Sequence, residues 1–135
     1  YGCAFYENGN LRSCEPARPM HVSTPLGELA AYDSTASAIC GDINSLCFDE
    51  KGAVSGLVTA ACTLRWLVDG QQHSISPRME KDQLTMLRTV VVPLRLTFMA
   101  NGLVQMDDGQ QVLLAPTKEI SVAPFVALPD MRPGN

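Results

Sequence analysis

The chain has 135 residues, of which 46% are hydrophobic and 18% charged, so it is long and apolar enough to bury one core and too apolar to stay disordered. Its net charge of −4 and its 10 scattered Lys and Arg argue against a nucleic-acid partner, whose phosphates reward clustered basic side chains. The strongest apolar stretch, residues 90–96, contains Arg95 and is far short of a bilayer span, so no membrane partner is expected.

In chain order, the first feature is Phe5-Tyr6-Glu7-Asn8-Gly9-Asn10-Leu11. It recurs as Phe48-Asp49-Glu50-Lys51-Gly52-Ala53-Val54 and again as Phe98-Met99-Ala100-Asn101-Gly102-Leu103-Val104. An aromatic, three residues, Gly, one residue and a branched apolar residue is the spacing of a three-residue hairpin loop. Two loop positions form a type I turn and the third lies in the left-handed region that Gly enters without a Cβ penalty. The count sets Phe5 opposite Leu11, Phe48 opposite Val54 and Phe98 opposite Val104, each pair worth roughly 0.2–1 kcal/mol over Ala–Ala.

Between the first two copies, Thr24-Pro25-Leu26-Gly27 is a turn with Pro and Gly where type I prefers them, and it sets Val22 opposite Leu29. Asp69-Gly70 is a two-residue hairpin signal that pairs Trp66 with His73 and Leu64 with Ile75. Ser76-Pro77-Arg78-Met79 resembles a helix start, leaving a short helix near 78–87 open against an irregular loop or a strand. Pro93 marks a bulge, an edge or a strand start. Residues 94–115 form a three-stranded meander in which a two-residue turn at Asp108-Gly109 pairs Val104 with Leu113. One further strand follows Pro116, and residues 129–135 form a frayed end.

The expected fold is therefore all-β: one domain, residues 1–135, built as a twisted antiparallel sheet of successive hairpins. Residues 1–59 carry the hairpin repeats and residues 60–128 a closing meander. Gly9, Gly27, Gly52, Gly70, Gly102 and Gly109 are its turn residues. Its core is expected to hold Phe5, Leu11, Phe48, Val54, Leu64, Trp66, Phe98, Val104 and Leu113.

The run from Phe5 to Ser13, followed by Thr24-Pro25-Leu26-Gly27-Glu28, resembles a group of uncharacterised bacterial proteins with F-Y-x-x-G-x-L-x-S units alternating with T-P-x-G turns, similar to MORN-type repeats. Gly41-Asp42-Ile43-Asn44-Ser45-Leu46, leading into Phe48, resembles the closing repeat of that group. The resemblance covers residues 1–59. It implies the C-terminal part of a longer, repeat-bearing cytoplasmic protein and no assigned chemistry, and some related chains carry an antitoxin label. The copy at 98–104 lacks the Tyr and the Ser of the motif.

No residue set points to a cofactor, to catalysis or to a metal. Cys3, Cys14, Cys40, Cys47 and Cys62 show no C-x-x-C spacing, and with His21 and His73 they leave a Cys-dependent hydrolase open only if a thiol meets an imidazole in space. Asp107-Asp108 with Asp130, or Asp42 with Asp33, lack the alternating oxygen ligands of a calcium loop. Glu7, Glu50 and Glu80 do not form an acid–base pair. Trp66 beside His73 offers either a ligand platform on a sheet face or a core-facing Trp. The leading expectation is a non-enzymatic interaction or scaffold module with a protein partner. An antitoxin- or immunity-type binder is the alternative.

Overall fold

The computed structural model describes residues 3–33, 45–81 and 89–125. Its strands are β1 (Cys3–Phe5), β2 (Leu11–Cys14), β3 (Met20–Thr24), β4 (Gly27–Ala31), β5 (Leu46–Phe48), β6 (Val54–Thr59) and β7 (Cys62–Val68). There follow β8 (Gln71–Ile75), β9 (Arg78–Lys81), β10 (Thr89–Val92), β11 (Leu94–Phe98), β12 (Leu103–Asp107), β13 (Val112–Pro116) and, after a 3-10 turn at Thr117–Glu119, β14 (Ser121–Pro124). Among the described residues, no helix is long and apolar enough to cross a membrane.

Three hairpins carry the aromatic–glycine spacing, and the backbone closes each of them in the same way. Tyr6 N–H donates to the Asn10 carbonyl at 2.8 Å and Gly9 N–H to the Tyr6 carbonyl at 2.9 Å. Asp49, Gly52 and Ala53 repeat that pattern, as do Met99, Gly102 and Leu103. Gly9, Gly52 and Gly102 have φ of 90°, 89° and 84°, the left-handed conformation that the loop requires. The pairs Phe5–Leu11, Phe48–Val54 and Phe98–Val104 form as the spacing predicts.

The first two hairpins share a feature that the third lacks. Their register slips by one residue just behind the aromatic, between Ala4 and Phe5 and between Cys47 and Phe48. Arg12 and Ser55 are the extra residues. Such a bulge bends the strand and increases its local twist. The β11–β12 pairing runs without a slip from Arg95–Asp107 to Phe98–Val104. The first two copies are thus equivalent units in three dimensions, and the third shares their loop and cross-strand pair without the bulge.

The hairpins merge into a seven-stranded antiparallel sheet of order β1-β2-β5-β6-β11-β12-β13. A second sheet has order β14-β7-β8, and β3–β4 and β9–β10 are separate two-stranded ribbons. Leu29 and Ala31 from β4, Leu64, Trp66 and Ile75 from the second sheet, and Leu46, Leu57, Leu94, Leu96, Val104 and Met106 from the large sheet form a single core. The Thr24–Gly27 and Asp69-Gly70 turns give the expected registers, Val22–Leu29, Trp66–His73 and Leu64–Ile75. Asp69 and Gly70 both have positive φ, 51° and 81°, as a type I′ turn demands. Gly27 and Gly109 lie in the same region of backbone space.

One open alternative resolves to a strand, and two expectations are corrected. Residues 78–81 are not helical: they form β9, which pairs antiparallel with β10, and the rest of the expected helix lies outside the described residues. Pro93 falls between β10 and β11, where its missing N–H breaks no ladder within either strand. Phe5 is not a core residue; it is 60% exposed, because it lies on an edge strand that nothing described covers. Phe48, Val54, Phe98 and Leu113 are half-buried at the core margin and Leu11 is half-buried, whereas Leu64, Trp66 and Val104 are fully inside.

The second correction concerns Asp108-Gly109, which is not a two-residue turn. Val104 faces Ala115 and Met106 faces Leu113, so the loop spans residues 108–111. The Asp108 side chain imposes this longer loop. Its Oδ1 accepts from the backbone N–H of Gln110 at 2.8 Å and of Gln111 at 2.9 Å, and its Oδ2 accepts from Gln111 Nε2 at 3.2 Å. Arg78 reaches across from β9 and donates to the Asp108 carbonyl at 2.7 Å. The slip of two residues preserves which face each side chain occupies, so the core pattern survives.

Two predictions follow from these loops. Gly52→Val should destabilise the fold by about 1–3 kcal/mol, because a β-branched residue is strained at that φ; Gly52→Asn should cost less. An unchanged denaturation midpoint for the valine variant would contradict the loop assignment. Burial pushes the Asp108 carboxyl up, but the Gln110 and Gln111 hydrogen bonds and the Arg78 charge outweigh it and hold the group below its ordinary value. Its contribution is therefore complete above the unfolded value of about 3.9 and is lost as pH falls through the lower folded value. Asp108→Ala should cost about 1–3 kcal/mol at neutral pH, with the gap narrowing in acid, as urea titrations at several pH values would show.

Candidate functional site: the seam between hairpin units and its open edge

The β1–β2 hairpin and the β5–β6 hairpin meet at β2–β5, with Ser13 opposite Cys47 and Cys14 opposite Leu46. Two side chains from the loop of the first unit reach onto the backbone of the second. The Tyr6 hydroxyl donates to the Phe48 carbonyl at 2.7 Å, and Asn10 Nδ2 donates to the Glu50 carbonyl at 3.2 Å. Asn8 Oδ1 accepts from Asn10 N–H at 2.9 Å and so fixes the loop that carries them. A neutral hydrogen bond of this kind contributes about 0.5–1.5 kcal/mol net, and its value here is in setting register.

The second unit does not repeat those donors. Its residues at the Tyr6 and Asn10 positions are Asp49 and Ala53. Asp49 turns inward instead, its Oδ1 accepting from Lys51 N–H at 2.9 Å and Ala53 N–H at 3.0 Å. The seam therefore has a direction, running from the loop of one unit to the carbonyls of the next, and it ends at the second unit.

The β3–β4 ribbon completes the arrangement. Its turn is tied by Thr24 Oγ1, which accepts from Leu26 N–H at 3.0 Å and donates to the Gly27 carbonyl at 2.6 Å. Val22, Thr24 and Pro25 from this ribbon line a groove with Phe48 and Val54, and Val22, Leu26, Phe48 and Val54 all pack on the core margin. The ribbon that follows the first unit thus shelters the Phe–Val pair of the second. The corresponding pair of the first unit, Phe5 and Leu11, has no such cover among the described residues.

The other candidates fall out as follows. Trp66 is 6% exposed, so it faces the core. His73 is stacked on it at a centroid distance of 6.0 Å and an interplanar angle of 19°, forming its lid rather than the second wall of an open platform. His21 lies 3.7 Å from Glu28 on an exposed stretch of the β3–β4 ribbon. The histidine contacts are thus with Glu28 and Trp66. No disulfide joins Cys3, Cys14, Cys47 and Cys62, and Cys40 lies outside the described residues. Burial pushes the Cys14 thiol up, with neighbouring Cys3, Cys47 and Glu15 adding to the rise. Burial also carries Cys62 up to about 11 against a hydrogen bond with Thr59. An activated nucleophile needs the opposite shift.

Glu7 and Glu50 are exposed in equivalent loops, and Glu80 pairs with Arg78. Asp108 is committed to its own loop; Asp42 and Asp130 lie outside the described residues. Among the described residues, no group of three or more His, Cys, Asp or Glu is placed to hold a metal ion.

Sequence reasoning missed the seam donors Tyr6 and Asn10. The signal was present in part: they are two of the three polar positions, with Asn8, at which the two equivalent units differ. It also missed Gly56, where a Cβ would meet the Leu96 carbonyl at 3.0 Å. Ser45 is fully buried with its hydroxyl donating to Glu15 at 2.8 Å, a second tie between the units that no spacing announced. Comparison with protein-family models, with curated proteins and with solved structures finds no match to this chain.

At neutral pH, iodoacetamide should modify the exposed Cys3 in the folded chain and should reach the buried Cys62 only on unfolding. Mass-spectrometric mapping that found Cys14 or Cys62 reacting faster than a free cysteine would contradict the thiol environments described above.

Proposed function

We propose that the chain is a non-enzymatic interaction or scaffold module, the closing end of a MORN-like array of hairpin units in a bacterial protein. The directional seam carries this reading. One unit donates through Tyr6 and Asn10, while the next has replaced both donors and uses Asp49 to close its own loop. A unit that accepts from its predecessor and carries neither side-chain donor onward fits the end of an array, where terminal repeats are atypical. Every recurrent residue has a turn, packing or seam role. Burial shifts the Cys14 and Cys62 thiols away from reactivity.

The test is an activity screen with ester, thioester and peptide substrates, run beside Cys14→Ser and Cys62→Ser variants. The expected outcome is no turnover that depends on either cysteine. A turnover abolished by one of these substitutions would overturn the module reading in favour of a hydrolase.

A further inference from the structure

Building on the reading of the chain as an array end, we propose that the outer edge of β1 and the exposed face of Phe5 are the docking site for one more unit of the same pattern. The occupant is a Phe-Tyr-x-x-Gly-Asn-Leu-x-Ser hairpin followed by its Thr-Pro-x-Gly ribbon, lying outside residues 1–135. The two units inside the chain supply the template. The second unit receives a strand along β5, a hydroxyl on the Phe48 carbonyl, an amide on the Glu50 carbonyl and a ribbon over Phe48 and Val54.

The first unit offers every equivalent acceptor. β1 is the outermost strand of the sheet, Phe5 and Glu7 carry the matching carbonyls, and Phe5 is 60% exposed where Phe48 is sheltered. By equivalence, the incoming Ser lies opposite Ala4, the incoming tyrosine donates to the Phe5 carbonyl and the incoming asparagine to the Glu7 carbonyl. The incoming ribbon then covers Phe5 and Leu11. Such an addition satisfies an open edge through main-chain hydrogen bonds and gains specificity from the side chains above it. A second copy of this chain cannot supply the piece, because the strand that would pair, β2, is already bound to β5 within each copy.

The probe is a synthetic peptide of residues 3–31 with both of its cysteines replaced by serine, added to the full chain. The expected result is saturable one-to-one binding with slowed amide exchange at Ala4 and Phe5. The same peptide carrying Tyr6→Phe and Asn10→Ala should bind about tenfold more weakly. Phe5→Asp in the full chain should leave it folded with only a slightly lower melting temperature, since most of that side chain is already in solvent, and should lose the peptide.

Absence of binding at millimolar peptide to a folded chain would overturn the docking site. So would protection appearing on β13 instead of β1. Concentration-dependent dimerisation abolished by Phe5→Asp would assign the edge to a second copy and would also overturn it. None of these results touches the module reading, which fails separately on a cysteine-dependent turnover.

Discussion

The fold hangs on one row of side chains that crosses every strand of the large sheet. Cys3 faces Cys14, Cys14 faces Leu46, Leu46 faces Leu57, Leu57 faces Leu96, Leu96 faces Met106 and Met106 faces Leu113. The four central members are at most 1% exposed. Burying each such side chain contributes about 1.5–3 kcal/mol, and because the period of a strand is two, a one-residue slip anywhere would turn part of the row out to water. The row therefore fixes the mutual register of hairpins far apart in sequence. The β4 residues Leu29 and Ala31 and the second-sheet residues Leu64, Trp66 and Ile75 contribute to the same core.

Burial along that row is graded, and the grading explains the behaviour of the first unit. Cys3 at one end is exposed, Cys14 is half-buried, and full burial begins at Leu46. The β1–β2 hairpin consequently shares the loop, the bulge and the aromatic–aliphatic pair of β5–β6 without sharing its burial. What holds it in place is the β2–β5 ladder together with Tyr6, Asn10 and the Ser45–Glu15 bond. These are hydrogen bonds more than apolar contacts, so the unit is positioned by polar groups at the seam while its aromatic remains available.

Local turn chemistry was legible in the sequence, and long-range pairing was not. The spacing of Phe5 to Gly9 to Leu11, the dipeptide Asp69-Gly70 and the Pro and Gly of Thr24–Gly27 each determine a register within a dozen residues, and all gave the observed partners. By contrast, β2–β5, β6–β11 and β7–β14 join segments whose pairing depends on which faces find cover, and no spacing rule encodes that. Asp108 failed for a different reason. Its dipeptide with Gly109 imitates a tight turn, but a carboxylate accepting from Gln110 and Gln111 favours a longer loop, and Arg78 arrives from a remote strand to support it. Phe5 was placed in the core because its pattern matches that of Phe48. The pattern was right, and the difference lies in the neighbour each one has.

The two ends of the sheet are not equivalent, and this gives the molecule its polarity. At the β13 end, Pro116 closes the strand and Thr117 N–H donates to the Gly102 carbonyl at 2.9 Å. Ile120 then packs at the core margin, and β14 leaves to pair with β7 in the second sheet. The chain there is drawn away into its own second layer, and the β11–β12 hairpin has Met99 and Leu103 where the first unit has the donors Tyr6 and Asn10. At the β1 end, a strand with the full unit pattern stands outermost, its phenylalanine uncovered and its carbonyls in the positions that accept at the internal seam. The unit pattern thus ends before one side of the sheet and stands on the outermost strand of the other, although β1 and β13 are both edge strands.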